Sequence, residues 1–425
     1  MNQENKTIQK SYILPIAVMF MLYFMIAFVT NFAGSMGVIV KNQYGVSNAL
    51  SQLGTLANFI AYACMGVPAG IILKRKGYKF TSLAAVLVGL AGVAVQWISG
   101  PAGSFAIYVC GAFIAGFSMC MLNVVVNPML NTLGGGGNRG NQLNLFGGTL
   151  NSLGGTLAPI LLGYLVGGSI DTAKVADAAP AMLTAMLIFI FAFIVIFFTN
   201  IPEPHKETDE EREARLNGKL AKDPHSPLSF RHFVLGCLAI FFYVGVEVGI
   251  PNMANLYMSE LPTVGPALAG TFVGFYWLMM LFGRMIGGAI GGKVSSKTML
   301  SCVSALGICF LLLMMFLSPE KTVTIAQYTI PVNMFFMILC GLCTSVMWGS
   351  IFNLAAEGLG KYTPAASGIF MALVCGGGIL PFFQGLLADS IGYMMSYIVP
   401  VIALIYILFY ALWGSKNVNT DIDVK

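Results

Sequence analysis

The stretch "GTLAPILLG" (Gly155–Gly163) returns as "GGILPFFQG" (Gly377–Gly385), with Gly, Pro and Gly four residues apart in both, at an offset of 222 residues. Two further pairs share nearly that offset. "GIILKRKGYK" (Gly70–Lys79) is answered by "GAIGGKVSSK" (Gly288–Lys297), 218 residues on. Asn127, seven residues before Gly134, is answered by Asn353, seven before Gly360, at an offset of 226. Each match is weak alone. Together they share an offset near half of the 425 residues, and that marks a duplicated chain.

Composition says what medium the two copies occupy. The chain is 57% hydrophobic and 9% charged, with mean hydropathy +0.82. A soluble domain carries about a quarter charged residues, so most of this surface must face lipid. A spanning helix needs about 20 mainly apolar residues. Twelve blocks qualify, at 12–40, 48–73, 80–100, 104–130, 142–169, 179–200, 232–258, 265–292, 298–317, 328–356, 364–388 and 391–414. The first block is too long for the apolar core of a secretion signal and reads as the first span. With the N-terminus inside, inner segments hold 18 Lys and Arg and outer segments 3. Such a bias places both termini in the cytoplasm of a bacterial-type inner membrane.

Residues 201–230 differ in kind. "EPHKETDEEREARLNGKLAKDPHSP" (Glu203–Pro227) is charged and bounded by prolines. It reads as a solvated cytoplasmic linker between a six-helix bundle at 1–200 and a second at 231–425. The expected fold is therefore an all-α membrane protein, with 12 transmembrane helices in two pseudo-symmetric bundles. That is the architecture of the major facilitator superfamily, whose halves rock about a site near the bilayer midplane.

Several chemistries find no foothold. The basic residues are scattered, so the net charge of +5 does not indicate nucleic acid. The nine cysteines lie in apolar blocks, and Cys340-x-x-Cys343 lacks a second ligand pair. The three histidines fall in or beside one polar loop, so no histidine relay crosses the membrane. "GGGNRG" (Gly135–Gly140) matches a nucleotide-binding pattern but joins two spanning helices rather than following a strand. No cofactor or metal is expected, and an enzyme would need paired acid and base groups that are not visible.

Charges inside spans are costly and therefore informative. Two lie well inside: Glu247, in "YVGVEVGI", and Arg284, in "LFGRMIGG". Glu247 stands about 22 Å along its helix at 1.5 Å per residue, with no basic residue within a turn. It could exchange a proton as a cavity alternates, ligate Na⁺, accept from a sugar hydroxyl, or only bind helices together. Arg284, eight residues before the basic inner end of its helix, reads as an ion pair, helix cap or gate, able to snorkel outward. The amides Asn31, Asn123, Asn127, Asn144, Asn151, Asn252, Asn255, Asn353 and Gln384 both donate and accept, as sugar hydroxyls require. Tyr243, Tyr276, Trp277 and Trp348 offer rings for sugar C–H faces. Pro159 and Pro381 remove backbone donors and can kink their helices.

A resemblance carried by particular stretches sharpens this. "IFNLAAEGLGKYTPAASGIFMALVCGGGILPFFQGLLAD" (Ile351–Asp389), "NPMLNTLG" (Asn127–Gly134), "LNSLG" (Leu150–Gly154) and "PAGIILKRKGYK" resemble the fucose:proton symporter family, which includes glucose/galactose permeases. The resemblance runs over nearly the whole chain, and "YVGVEVGI" resembles the acidic seventh helix of hexose-transporting members. It implies secondary active import of a hexose, deoxyhexose or amino sugar by alternating access, coupled to H⁺ or Na⁺ and carried out by a monomer. Two carboxylates of the proton-coupled members are replaced, by Gly34 and Asn123. Glu247 is left as the acid for coupling. The alternatives are an exporter of drugs or metabolites on the same fold, or an uncoupled sugar facilitator.

Overall fold

The computed structural model describes residues 12–134, 137–166, 173–203, 206–216, 225–290, 294–325, 328–359, 362–419, 421–422 and 424. The first half of the chain gives α1 (Ile13–Tyr44), α2 (Leu53–Lys76), α3 (Tyr78–Ala102), α4 (Phe105–Leu133), α5 (Gly137–Leu165) and α6 (Ala179–Phe198). The second half gives α7 (Arg231–Ser259), α8 (Gly265–Ile290) and α9 (Ser296–Phe316). Its last three helices are interrupted. They are α10 (Asn333–Thr344 and Met347–Ala356), α11 (Thr363–Ala372 and Gly376–Ile391, around a 3₁₀ turn) and α12 (Tyr393–Ser396 and Ile398–Phe409).

Serines start several of these helices by accepting backbone N–H groups that have no partner in a first turn. Ser104 accepts from Ile107 at the start of α4, and Ser295 from Thr298 at the start of α9. Gly77 divides α2 from α3 at φ +90°, a conformation L side chains rarely adopt.

Among the described residues, eleven segments are long and apolar enough to cross a membrane. α5 is the further long helix. It carries so many glycines and asparagines that its apolar character is diluted, which suits a helix packed against α1 and α8. The helices alternate in direction, so the chain enters and leaves at one end, here the terminal end; the other is the far end. At the far end, between α9 and α10, β1 (Thr322–Ile325) pairs antiparallel with β2 (Tyr328–Pro331). This corrects the sequence-based span at 328–356. Its first residues form a hairpin, since "YTI" favours extended backbone, and the helix begins at Asn333.

The duplicated Gly/Pro stretches lie on two matching contacts between the halves. α5 of the first half packs on α8 of the second, and α11 of the second on α2 of the first. At the former, a Cβ on Gly155 would stand 2.9 Å from the Trp277 ring. At the latter, a Cβ on Gly378 would stand 2.7 Å from the Leu56 backbone, and one on Gly385 2.8 Å from Ala49. Small residues are what let helices approach closely in lipid, where no hydrophobic force drives them together.

The segment after α6 is less solvated than its composition implies. The Glu203 carboxylate accepts from the backbone N–H groups of Tyr78 and Lys79, and the Glu207 N–H donates to the Lys74 carbonyl at 2.7 Å. Its start is therefore docked on the α2–α3 turn, where a carboxylate meets the positive end of a helix. Asp209–Leu216 then forms an exposed helix of its own.

Candidate functional site

Tyr243 and Glu247 are four residues apart on α7 and so share a face. The Tyr243 hydroxyl donates to Glu247 Oε1 at 2.9 Å. Arg284 of α8 brings its Nη2 to 3.6 Å from the same oxygen, and both charged side chains are only 12% exposed. The two intramembrane charges therefore neutralise each other. At that separation and an effective dielectric of about 20, their attraction is of the order of 4–5 kcal/mol, comparable with the cost of burying them. Glu247 thus has a cationic partner, contributed by another helix and so invisible to local spacing. Arg284 turns inward, in the ion pair that was one reading of its position, and does not snorkel outward.

Arg284 also crosses to the first half. Its Nη1 donates to the Gly148 carbonyl and, at 2.9 Å, to Ser152 Oγ, both on α5. The Tyr276 hydroxyl, about two helix turns before Arg284 on α8, donates to the Glu247 carbonyl at 3.2 Å and bonds Thr344 Oγ1 at 3.1 Å. Thr344 ends the first segment of α10. Just past the break, Trp348 lies edge-on to the Tyr243 ring, centroids 6.3 Å apart, and to Phe370 at 6.0 Å. An interrupted helix beside a buried charge is a recurrent way of building a transporter site.

The first half supplies amides. Asn123 donates to the Tyr62 hydroxyl at 3.0 Å, and Asn127 to the Asn123 carbonyl at 2.8 Å. The Tyr23 hydroxyl donates to Asn127 Oδ1, while Asn151 donates to the Tyr23 carbonyl at 3.1 Å. Asn31 donates to its own helix at Ala27 O, at 2.9 Å, yet its Nδ2 stands 3.1 Å from where a Gly155 Cβ would lie, beside Trp277. So α1, α5 and α8 meet there.

Other predicted residues fall elsewhere. Asn252 donates across the halves to Gln52 Oε1 at 3.0 Å. Gln384, on α11, is buried with its oxygen 2.7 Å from where a Cβ on Gly249 would lie. Asn353 is exposed and about 7 Å nearer the terminal end than Trp348 by helical rise. The side-chain surroundings of Gly34, Asn144 and Pro159 lie outside the described residues; α5 runs unbroken through Pro159. Pro381 sits inside α11, whose interruption lies six residues earlier, at Leu373–Cys375. Sequence reading missed Tyr23, Tyr62, Ser152 and Gln52. The first two are tyrosines in apolar runs, a signal as visible as the asparagines they bond.

Several buried polar side-chain atoms have no partner among the described residues, two of them nitrogen donors of predicted site residues. Trp277 Nε1 and Gln384 Nε2 are buried and have no acceptor among the described residues. A buried donor without a partner is costly, and an uncharged ligand rich in hydroxyls is the kind of group that would relieve it.

Comparisons agree with this architecture. Residues 19–380 match the Major Facilitator Superfamily profile. A glucose/galactose transporter of Brucella abortus is 30% identical over 414 residues, covering 96% of each chain. The L-fucose-proton symporter of Escherichia coli K12 is 22% identical over 427 residues, covering 96% of this chain and 94% of its own. The crystal structure of the E. coli fucose:proton symporter superposes with a TM-score of 0.67 at 20% identity, over 96% of this chain and all of that one. That of a D-xylose-proton symporter gives 0.70 at 13% identity, over 96% and 99%. The chain is an integral membrane transporter, not an enzyme, and it belongs to the major facilitator superfamily.

Proposed function

We propose that this transporter imports a monosaccharide by alternating access, with proton movement coupled through Glu247. Residues 1–200 and 231–425 are the two moving halves, joined by 201–230, and the terminal end faces the cytoplasm of a bacterial-type inner membrane. The observation that carries the reading is the buried Glu247–Arg284 pair, tied across the halves through Gly148 and Ser152. Protonating Glu247 removes the partner of Arg284. The guanidinium then keeps only its bonds to α5, so a proton on one half changes how that half holds the other. A cation already stands at the carboxylate, which argues for H⁺ over Na⁺ as the second species there.

The sugar assignment draws on the printed names of the relatives and on the site's chemistry. Asn123, Asn127 and Asn151 with Tyr23 and Tyr62 form one wall, and Tyr243, Trp277 and Trp348 the other. Amides and hydroxyls match a polyol's mixed donors and acceptors, and rings match its C–H faces. The open donor of Trp277 fits the same ligand.

The test is uptake into proteoliposomes from a panel of hexoses, deoxyhexoses and amino sugars, under separate pH and Na⁺ gradients. Accumulation of a monosaccharide driven by an inward proton gradient is expected. Accumulation driven by Na⁺ alone would reassign the coupling ion. Sugar equilibration without accumulation would make the protein a facilitator, and no sugar uptake beside efflux of lipophilic cations would make it an exporter.

A further inference from the structure

Pro251 lies inside α7, four residues after Glu247. In an α-helix each carbonyl accepts from the N–H four residues on. Proline has no N–H, and its ring pushes aside the carbonyl four residues back. That carbonyl belongs to Glu247, so it has no donor within its own helix. A carbonyl left open away from water costs about as much as a lost hydrogen bond. Here the opening is filled from outside, because the Tyr276 hydroxyl of α8 donates to the Glu247 carbonyl at 3.2 Å. Tyr276 is itself fixed in place. It is fully buried, and a Cβ on Gly341 of α10 would run into its carbonyl, so α8 and α10 pack backbone on backbone beside it. The Glu247 carbonyl only accepts, so the tyrosine proton goes there. That leaves the tyrosine oxygen to accept from the Thr344 hydroxyl at 3.1 Å.

We propose that Tyr276 is the positioning residue for Glu247: its hydroxyl stands in for the N–H that Pro251 cannot supply, and so fixes where α7 presents the carboxylate. α8 then grips residue 247 at both ends. Tyr276 holds its backbone, and Arg284, about two turns on along the same helix, faces its carboxylate with Nη2 at 3.6 Å from Oε1. That separation is beyond ordinary hydrogen-bond reach, so a small displacement of the Glu247 backbone changes which partners the carboxylate keeps. An ordinary residue at 251 would close the helix bond and leave the placement of Glu247 to α7 alone. Pro251 transfers that control to α8 and, through Thr344, to the end of the first segment of α10. Tyr276 thus has a use other than offering its ring to a sugar. This role rests on the reading of Glu247 as the coupling residue for its consequence in transport, and on the hydrogen bonds alone for its geometry.

The test is infrared spectroscopy of the purified full-length protein in nanodiscs, with no sugar present. In each background the Glu247 carboxyl signal is isolated by subtracting the spectrum of the same background carrying Glu247→Gln. In Tyr276→Phe, which removes one oxygen and keeps the ring, the signal should shift in frequency and broaden relative to wild type. Pro251→Ala returns an N–H to the Glu247 carbonyl. In that background Tyr276→Phe should leave the signal unchanged, so the two substitutions are strongly non-additive, as residues serving one bond are. A wild-type signal in Tyr276→Phe overturns the positioning role. So does a shift of equal size with and without Pro251→Ala, which is what a residue that only packs would give. If Tyr276→Phe alone does not fold, the role requires that Tyr276→Phe with Pro251→Ala does, and a double variant that also fails to fold overturns it. No sugar and no gradient is used. A failed uptake assay therefore leaves the positioning role standing, and a failed positioning role leaves the sugar and proton assignments standing.

Discussion

The two halves repeat in sequence but differ in the helices around the buried charge pair. α4 and α5 of the first half are continuous through Phe105–Leu133 and Gly137–Leu165, whereas their counterparts α10 and α11 are both interrupted. The first half lines its interior with neutral amides bonded to tyrosines. The second carries the buried ion pair, with Tyr243, Trp277 and Trp348 around it. On the proposed function, one wall reads hydroxyls and the other senses charge and flat C–H faces. Arg284 joins the two through its bonds to α5, beside the packing of Trp277 on Gly155.

Removing that contact is expected to have the largest effect. Arg284→Ala leaves a buried carboxylate uncompensated and should destabilise the protein by about 3–5 kcal/mol, read as a lower thermal midpoint in detergent. Adding Glu247→Gln should recover much of the loss, because the coupling between paired residues is what a double-mutant cycle isolates. Equal midpoints for single and double variants would show that the pair is not what holds the charged wall.

On the amide wall, Asn127→Ala removes the acceptor for Tyr23 and the donor to Asn123 O. Sugar affinity should fall about tenfold, equivalent to about 1.4 kcal/mol, while the proton dependence of uptake keeps its form. A changed proton dependence would blur the division between the walls. Trp348→Ala should weaken binding by about three- to tenfold, the scale of one lost aromatic contact; unchanged affinity would remove Trp348 from the ring wall. The smallest effect belongs to deletion within Asp209–Leu216, whose helix is exposed. Binding and thermal midpoint should both stay at wild-type values. Extending the deletion back to Glu203 should not be silent, since that residue caps α3.

Much of this was readable from the chain. Blocks of about 20 apolar residues fix helices through backbone hydrogen bonding in lipid, and the repeat offset fixes their pairing. What escaped were facts set by distant contacts. Nothing local to Glu247 shows that Arg284, 37 residues on, faces it. The hairpin at Thr322–Pro331 escaped because "YTIP" is apolar enough to pass as the start of a span. The docking of Glu203 escaped because a charged segment looks solvated until its partner, the N-terminus of α3, is in place. The amides were legible as a set, but their tyrosine partners lie on helices of the same half whose register only the fold supplies.

The central claim is that Glu247 carries the coupling charge. Its most direct test is a comparison of Glu247→Gln with wild type in proteoliposomes, measuring proton-driven accumulation and sugar exchange at equal external and internal pH. Glutamine keeps the size and an oxygen acceptor for Tyr243 but carries no titrating charge. The account predicts that accumulation is abolished while exchange persists. Accumulation at the wild-type level in Glu247→Gln would contradict it.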